Sequence, residues 1–472
     1  MLGLLGTLNL AGQSLQTQMT GVSVAGQNLA NVNTAGYTRQ TVDIQTSPDI
    51  MTNLGLQGTG AEAVSIQQAV DALLNGQIQG QQSVNGYWNA QQSGLQSAQN
   101  DLNEFLSSTG SSSSSNSTTS SGVSTLLTNF FNDFQSVATS PTSIPARQTL
   151  ISDAQTLASA LNQMNAGLSQ EKTSLNTSLS NDVNSANQLL SGIASLNQQI
   201  SAAEFGGGNA NDLLDEQQKD LNNLAQLTDI STTSGADGTV NVSIDGQALV
   251  SGSKVLDTLQ TYDAGNGSLQ VQTATGGVSL TLTGGSMKGT IDARDGALAT
   301  LQNSVNTLAS SLITQVNSIY SGGYSLAGTT GASFFTGSDA SDIAVNSALV
   351  NDPSSFQASG SATATGDNTI ALELADLGGA PQSNLQNETF SNSFDQTVGT
   401  FGDSLQTANN QVSNQTAVTN MLTNQRSSIS GVSVDQEMTN LLTFQQAYEA
   451  SAELVSTINK MLGDTLAMKS GA

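Results

Sequence analysis

The stretch LLGTLNLAGQSLQTQMTGVSVAGQNLANV, residues 4–32, decides the fold of this chain. Apolar residues stand seven apart in it, at Leu8, Leu15, Val22 and Leu29. A seven-residue repeat of apolar positions keeps one narrow stripe of a helix facing a partner helix. The stretch therefore predicts a helix that needs another helix to pack against.

The other end of the chain carries a second repeat of the same kind. Its positions are Val434, Leu441, Tyr448, Val455 and Leu462, with Phe444 and Ile458 offset by three. Burying about six large side chains in the first repeat yields roughly 9–18 kcal/mol, whereas ordering some 30 residues of backbone costs about 1–2 kcal/mol per residue. We therefore expect both ends to be loosely ordered in the free chain and to become ordered when many copies pack together. An ordinary intramolecular coiled coil is the alternative at this point.

Composition excludes several function classes. The chain has 472 residues, enough for two to four domains, and its 10 Lys+Arg against 36 Asp+Glu give a net charge of −26. That charge repels nucleic acid and anionic lipid, so neither is expected as a partner. The absence of Cys and His excludes thiol nucleophiles, histidine bases and Cys/His zinc sites. No catalytic residue, cofactor or metal site is predicted.

The sequence has no run of apolar residues that approaches the ~18 needed for a membrane helix. It also has no signal peptide that we recognise, since the first basic residue is Arg39. If the protein is exported, it needs another route.

Between the ends, most of the chain has helical periodicity. The predicted helices cover residues 62–106, 145–205, 212–227, 295–316 and 383–429. Residues 107–122 are nearly all Ser, Thr, Gly and Asn, which predicts a flexible loop and leaves open a site for O-linked sugar.

Two stretches have the period of two that is typical of strands. Val240, Val242 and Ile244 alternate before Asp245-Gly246, which predicts a hairpin with a type I′ turn. A second hairpin is predicted to pair 269–271 with 278–282, and weak strands are predicted at 343–345 and 370–374.

These elements predict a mainly α fold with a β insertion. Both chain ends and the middle helices form a long antiparallel helical bundle and coiled coil, and a β-rich domain lies distal to it. The predicted terminal coiled-coil domain combines 1–60 with 430–472. The helical bundle combines 61–229, 293–321 and 383–429, and the β-rich outer domain combines 230–292 with 322–382.

Neighbouring carboxylates are the one feature that could indicate catalysis. They occur at Asp212, Asp215 and Glu216, and at Asp292 and Asp295. A glycosidase needs two carboxylates that face each other across a sugar. With 36 acidic residues, chance neighbours on a solvated face are the favoured explanation, and a secreted carbohydrate-active enzyme stays as the least favoured hypothesis.

Motifs at the two ends resemble those of a known superfamily. Asn28-Leu29-Ala30-Asn31 with Thr34, Gly36 and Tyr37 is similar to the N-terminal signature of bacterial flagellar rod, hook and hook-associated proteins. The C-terminal signature of these proteins resembles the segments 431–438 and 444–452. Both signatures define the superfamily without selecting a member.

Interior motifs resemble one member family, hook-associated protein 1, also called the FlgK family. They are Phe130-Phe131, Ser140-Pro141, Ala146-Arg147-Gln148, the segment 211–216, Leu249–Gly252, Asn317, the segment 323–328 and Phe334-Phe335. One departure is that Gln217 and Gln218 stand where the family often has an arginine. The Ser-rich stretch looks like an insertion.

The resemblance implies a non-enzymatic structural component of the bacterial flagellum that self-assembles at the hook–filament junction. It implies export by the flagellar type III route without a cleaved signal peptide, and an extracellular location. The implied partners are copies of the chain in a ring of the axial tube, the hook protein, the second junction protein toward the filament, and a cytoplasmic export chaperone at the C-terminal helix. A hook or distal rod protein of the same superfamily is the alternative.

The two end repeats and the signature residues together give the predicted assembly interface. Its members are Leu8, Leu15, Val22, Leu29, Asn31, Gly36, Tyr37, Leu441, Phe444, Tyr448, Val455 and Leu462.

Overall fold

A computed structural model describes residues 3–52, 55–106, 122–206, 208–265 and 267–470. The chain begins with helix α1, Leu4–Ala30, and continues in four strands: β1, Gln40–Thr46; β2, Ile50–Thr52; β3, Gly55–Gln57; and β4, Ala61–Gln68. Strand β1 pairs antiparallel with β4, and β2 pairs with β3.

The structure corrects the prediction of a helix from residue 62. Residues 61–68 form β4 instead, because Val64 and Ile66 alternate with polar residues and β1 supplies the partner strand. Helix α2, Ala72–Leu106, begins only after Asp71, whose carboxylate accepts from the backbone amides of the first turn.

Three helices follow, namely α3, Val123–Thr139; α4, Ile144–Phe205; and α5, Asn211–Leu227. The predicted long helix is confirmed, and its 62 residues give a rod of about 93 Å. Ser143 Oγ accepts from the backbone amide of Ala146, and Pro145 lies in the first turn. Most of the Ser-rich stretch, residues 107–121, lies outside the described residues.

The β part packs against the second half of α4. A four-stranded sheet has the order β5, Ser231–Ser234; β6, Val240–Ile244; β7, Gln247–Ser251; and β8, Lys254–Val255. The predicted hairpin is confirmed, since Asp245 and Gly246 have φ of 49° and 73°, as a type I′ turn requires.

The second hairpin was only partly predicted. Strand β10, Leu269–Thr273, pairs along its length with β9, Leu259–Asp263. It meets the predicted partner 278–282 at a bridge between Gln272 and Ser279, where the Leu280 amide donates to Val271 O and the Thr273 amide donates to Val278 O. The side chains of Leu280 and Leu282 are also buried in the core, so both packing and these backbone hydrogen bonds hold the segment.

The chain then returns to helix. Helix α6, Gly285–Asp292, runs through a π-helical turn at 293–298 into α7, Ala299–Tyr320, so helix begins ten residues before the predicted 295. Two short strands and two helices follow: β11, Phe335–Thr336; β12, Ala344–Val345; α8, Ser347–Asn351; and α9, Thr369–Leu377.

The predicted strand at 370–374 is wrong, because this segment lies in α9. One face of this helix carries four apolar residues with helical spacing, and all four are buried in the hydrophobic core: Ile370, Ala371, Leu374 and Leu377. Two long helices end the chain, namely α10, Phe390–Ser430, and α11, Val434–Ser470. Helix α10 starts seven residues after the predicted 383, where Thr389 caps it by accepting from the amide of Asn392.

Below, the terminal unit denotes α1, β1–β4 and α11, and the body denotes residues 70–430. The largest hydrophobic cluster joins α3, α4, α7 and α10 with residues 334–377, and its centre is a group of aromatic rings that includes Phe130, Phe134, Phe334 and Phe356. A second cluster joins α4 and α5 with β6–β10.

The predicted outer domain of residues 230–292 and 322–382 stays a prediction. Its two parts lie in different clusters, 240–282 in the second and 334–377 in the largest. Phe334 and Phe335 contact Phe130 directly, so the segment 334–377 contributes aromatic side chains to the helical core.

Candidate assembly interface

Helix α1 pairs with α11 through a face of small residues. The buried positions of α1 include Ala11, Gly21, Val24 and Ala25. A Cβ atom on Gly21 would lie 2.6 Å from the ring of Phe444. A side chain at position 21 would therefore displace the Phe444 ring, so glycine is favoured where this ring packs against α1.

The predicted seam of α1 lies beside this face rather than on it. Leu8, Leu15, Val22 and Leu29 are half-buried in the single chain. The leucine repeat gave the helix and its approximate orientation, but the closest line of contact is shifted onto smaller side chains. Large seam side chains therefore keep part of their apolar surface exposed.

The predicted seam of α11 has a similar placement. Leu441, Phe444, Val455 and Leu462 are half-buried, and Tyr448 is 40% exposed. Ile458, only 3% exposed, is the deepest apolar side chain of this helix. The offset of three from Val455 was its only signal in the sequence.

Further apolar side chains of both terminal helices face outward. They are Leu5, Met19, Met438, Leu442, Leu454, Met461, Leu466 and Met468, and their exposed fractions run from 40% for Leu454 to 75% for Met468. Helices that carry many exposed apolar side chains are typical of surfaces that become covered by other protein.

A buried polar cluster joins the two signature segments. The carboxylate of Glu437 accepts from Asn28 Nδ2 at 3.1 Å and from Arg39 Nε at 3.0 Å. Asn28 Oδ1 accepts from the Tyr37 hydroxyl at 2.9 Å and from the Gln40 amide at 3.0 Å. Asn28 has no exposed surface and Glu437 is 2% exposed. Each polar group of this cluster therefore finds its partner within the protein, as burial demands.

Electrostatics at this cluster is dominated by carboxylates. Burial, followed by the charges of Asp212, Asp215 and Glu437, raises the pKa of Tyr37 to about 12. The tyrosine therefore stays protonated and donates its hydroxyl proton to Asn28 over the whole physiological range.

The other predicted signature residues shape the loop after α1. Asn31 lies at the end of α1 and its side-chain amide donates to Gln27 O, while its Oδ1 accepts from the Thr34 hydroxyl. Gly36 has φ of 89°, a conformation that favours glycine. The loop delivers Tyr37 to Asn28, so both residues support the polar cluster from the outside.

Four of the five carboxylates considered as catalytic candidates, all but Glu216, accept hydrogen bonds from neighbouring groups. Asp292 accepts hydrogen bonds from Tyr87 and Lys288, and Asp295 forms a bidentate ion pair with the buried Arg294. Asp212 and Asp215 accept hydrogen bonds from the terminal unit. In the described ranges, acidic side chains do not gather in threes that could hold a metal ion.

The position where the family often has an arginine carries a hydrogen bond instead. Gln217 is 4% exposed, and its Nε2 donates to Asn197 Oδ1 at 2.7 Å.

Among the residues described above, no helix combines the length and apolar character that crossing a bilayer requires.

Comparisons with known proteins agree with this architecture. Residues 112–335 match the model of the flagellar hook-associated protein FlgK helical domain, and residues 424–468 match that of the flagellar basal body rod FlgEFG protein C-terminal region. Flagellar hook-associated protein 1 of Bacillus subtilis is 26% identical, with 96% of each chain covered. The proteins of the same name from Salmonella typhimurium and Escherichia coli are 23% and 24% identical over 96% of this chain and over 98% and 97% of their own.

A solved structure described as the flagellar hook junction protein FlgK from Burkholderia pseudomallei has the same fold. Its TM-score is 0.63 at 18% identity, and the match covers 75% of this chain and all of that one. The paired ends and the shared C-terminal region define a structural protein of the flagellar rod, hook and hook-associated class. Within that class, residues 112–335 belong to the FlgK helical-domain family, and nearly the whole chain is similar to flagellar hook-associated protein 1.

Proposed function

We propose that this chain is a structural component of the hook–filament junction and assembles there through its terminal unit. The observation that carries the proposal is the pairing of α1 with α11, which leaves large apolar side chains half-buried or exposed on both helices. In a ring of copies these surfaces would be covered by neighbouring terminal units. The body would form the wall of the tube, and the sheet β5–β8 would face outward.

The partners follow from this role. Hook protein would lie below the ring and the second junction protein above it, toward the filament. A cytoplasmic export chaperone would cover α11 before assembly, since its exposed Leu454, Met461 and Met468 favour aggregation in a free chain. Export without a cleaved signal peptide and an extracellular location complete the proposal.

A hook or distal rod role is the main rival. Proteins of those kinds are expected to lack long helices in the middle of the chain, whereas α4 alone spans 62 residues here. An enzymatic role is proposed to be absent because the neighbouring carboxylates serve in structural hydrogen bonds. Glycan hydrolysis that a single Asp→Asn change abolishes would contradict this.

Two charge substitutions test the assembly proposal. Leu15→Asp and Leu441→Asp place a carboxylate on half-buried seam positions, where a neighbour would have to desolvate it. We expect both variants to fail to polymerise or to complement motility, while the thermal unfolding of the body stays unchanged.

Matched controls are Gln16→Asp and Gln445→Asp, which add the same charge at exposed positions of the same helices. A large drop in the melting temperature of the body in the seam variants would mean that the ends belong to the core of the single chain. Normal assembly of both seam variants would overturn the proposed interface.

A further inference from the structure

The terminal unit joins the body through polar contacts. In the part of the chain that the structure describes, the three hydrophobic clusters of the body contain no side chain from α1, β1–β4 or α11. Two chain crossings, before α2 and after α10, provide the covalent connection. The angle between the two parts is therefore set by hydrogen bonds and not by a shared apolar core.

Two carboxylates near the start of α5 supply three of these contacts. The Asp212 carboxylate accepts from Gln40 Nε2 at 2.9 Å and from Gln27 Nε2 at 3.2 Å. Asp215 Oδ2 accepts from the backbone amide of Thr38 at 2.9 Å, and Thr38 is only 2% exposed. Asp215 thus holds the loop that follows α1, and Asp212 holds the end of α1 and the start of β1 on either side of that loop.

A second set of contacts lies at Asn211, the first residue of α5. Asn211 Nδ2 donates to the carbonyl of Ile66 at 2.9 Å, and Gln68 Nε2 donates to the carbonyl of Asn211 at 2.8 Å. Ile66 and Gln68 belong to β4. One short segment, 211–215, therefore reaches both the loop after α1 and the strand ribbon.

Open space flanks this segment on both sides. A groove of about 570 Å³ lies between α1, β4 and residues 208–213, and a second of about 360 Å³ lies between residues 31–37 and α5. Because these grooves leave few side chains packed against the segment, its hydrogen bonds are the contacts that would resist a tilt of the terminal unit.

We propose that Asp212 and Asp215 form a clasp that fixes the direction of the terminal unit relative to the body. The clasp explains why the motif 211–216 belongs to a structural protein without any catalytic use of its acids. The inference deepens the proposed function, and only its functional consequence rests on that function. The consequence is that copies whose terminal units have the same direction relative to the body can enter one ring.

The test measures the angle in the free chain. Because the chain has no Cys, the double variant Asn184→Cys with Gln446→Cys places one spin label on α4 and one on α11, both at exposed positions. Electron–electron double resonance gives the distribution of distances between the labels. We expect a narrow distribution in the otherwise unmodified chain and at least a twofold broader one after Asp212→Ala with Asp215→Ala.

The matched control is Asp220→Ala on the same helix, since its carboxylate lies against α4 near Gly192 and away from the terminal unit. A distribution as narrow as in the unmodified chain is expected for this control. Equal widths in the clasp variant and the unmodified chain, whether both narrow or both broad, would overturn the proposal.

A second pair of labels separates direction from folding. Gln16→Cys with Gln446→Cys reports on the pairing of α1 with α11, and its distribution should stay narrow in the clasp variant. The amide of Thr38 should also exchange at least tenfold faster after Asp215→Ala. Broadening of this second pair would mean that the acids hold the terminal unit folded, and the clasp would be refuted. All these measurements use monomers, so their failure leaves the assembly tests unaffected.

Discussion

Truncation of Glu437 is the sharpest test of how the two chain ends are held together. In the variant Glu437→Ala, Asn28 Nδ2 and Arg39 Nε both lose a charged acceptor. Asn28 keeps its bonds to Tyr37 and Gln40, and the Arg39 side chain, 20% exposed, regains water. The loss is therefore smaller than that of a fully buried ion pair.

The expected magnitude follows from these contacts. A hydrogen bond to a charged group contributes about 1.5–3 kcal/mol, and breaking a buried pair costs about 3–5 kcal/mol. Allowing for the rehydration of Arg39, the pairing of α1 with α11 should weaken by about 2–3 kcal/mol. At about 1.4 kcal/mol per factor of ten, that corresponds to roughly 30- to 150-fold faster opening of the pair.

Hydrogen–deuterium exchange resolved by segment measures this opening in the free chain. Amides of residues 20–30 and 437–450 should exchange faster in Glu437→Ala, whereas amides of α4 should not change. Glu449→Ala, at an exposed position of the same helix, is the control and should behave like the unmodified chain. Equal exchange in all three proteins, including complete exchange of both ends from the start, would refute the reasoning.

Three further predictions concern other parts of the molecule. Gly21→Ala should weaken the pairing of the terminal helices, because the added Cβ would lie 2.6 Å from the Phe444 ring. Gly26→Ala has open space around the added Cβ and should stabilise α1 by about 0.5–1 kcal/mol. Hydrogen–deuterium exchange resolved by segment distinguishes the two variants. Burial and the neighbouring Asp153 raise the pKa of Asp133 to about 7. The stability that the protonated carboxyl contributes is complete below about pH 4 and is lost as the pH rises to about 7. Asp133→Asn should therefore raise the melting temperature of the body by about 2–4 °C at pH 8 and leave it unchanged at pH 4. Arg147, 1% exposed, donates to three backbone carbonyl oxygens, and Arg147→Lys should lower the free energy of unfolding by about 2–4 kcal/mol in urea titrations because an ammonium does not span them.

Local chemistry made several elements predictable. The hairpin at Asp245-Gly246 follows from the positive φ that a type I′ turn needs. The start of α4 follows from a serine cap and a proline in the first turn. Such signals act between residues a few positions apart, so a sequence alone displays them.

Two segments were assigned the wrong secondary structure because their neighbours decide it. Residues 62–68 form a strand since β1 is available to pair with them. Residues 370–374 form a helix since one face of α9 packs against the body core. Short apolar segments are compatible with either state, and tertiary contacts select one.

The candidate interface divides in the same way. The seven-residue repeats predicted two terminal helices that need partners, because helical periodicity places their apolar residues on one stripe. The repeat could not show that Gly21 lies against the Phe444 ring, since that depends on how two helices far apart in the sequence pack together. It also could not show that Asn28 and Glu437, 409 residues apart, share one buried hydrogen bond.

By itself, the sequence determined that this is an acidic, largely helical chain with two ends built to pair, because periodicity and composition are local properties. The tertiary structure alone decided which faces meet, which acids become buried, and how the terminal unit is held on the body. Those outcomes depend on distances between residues far apart in the chain, and only folding sets these distances.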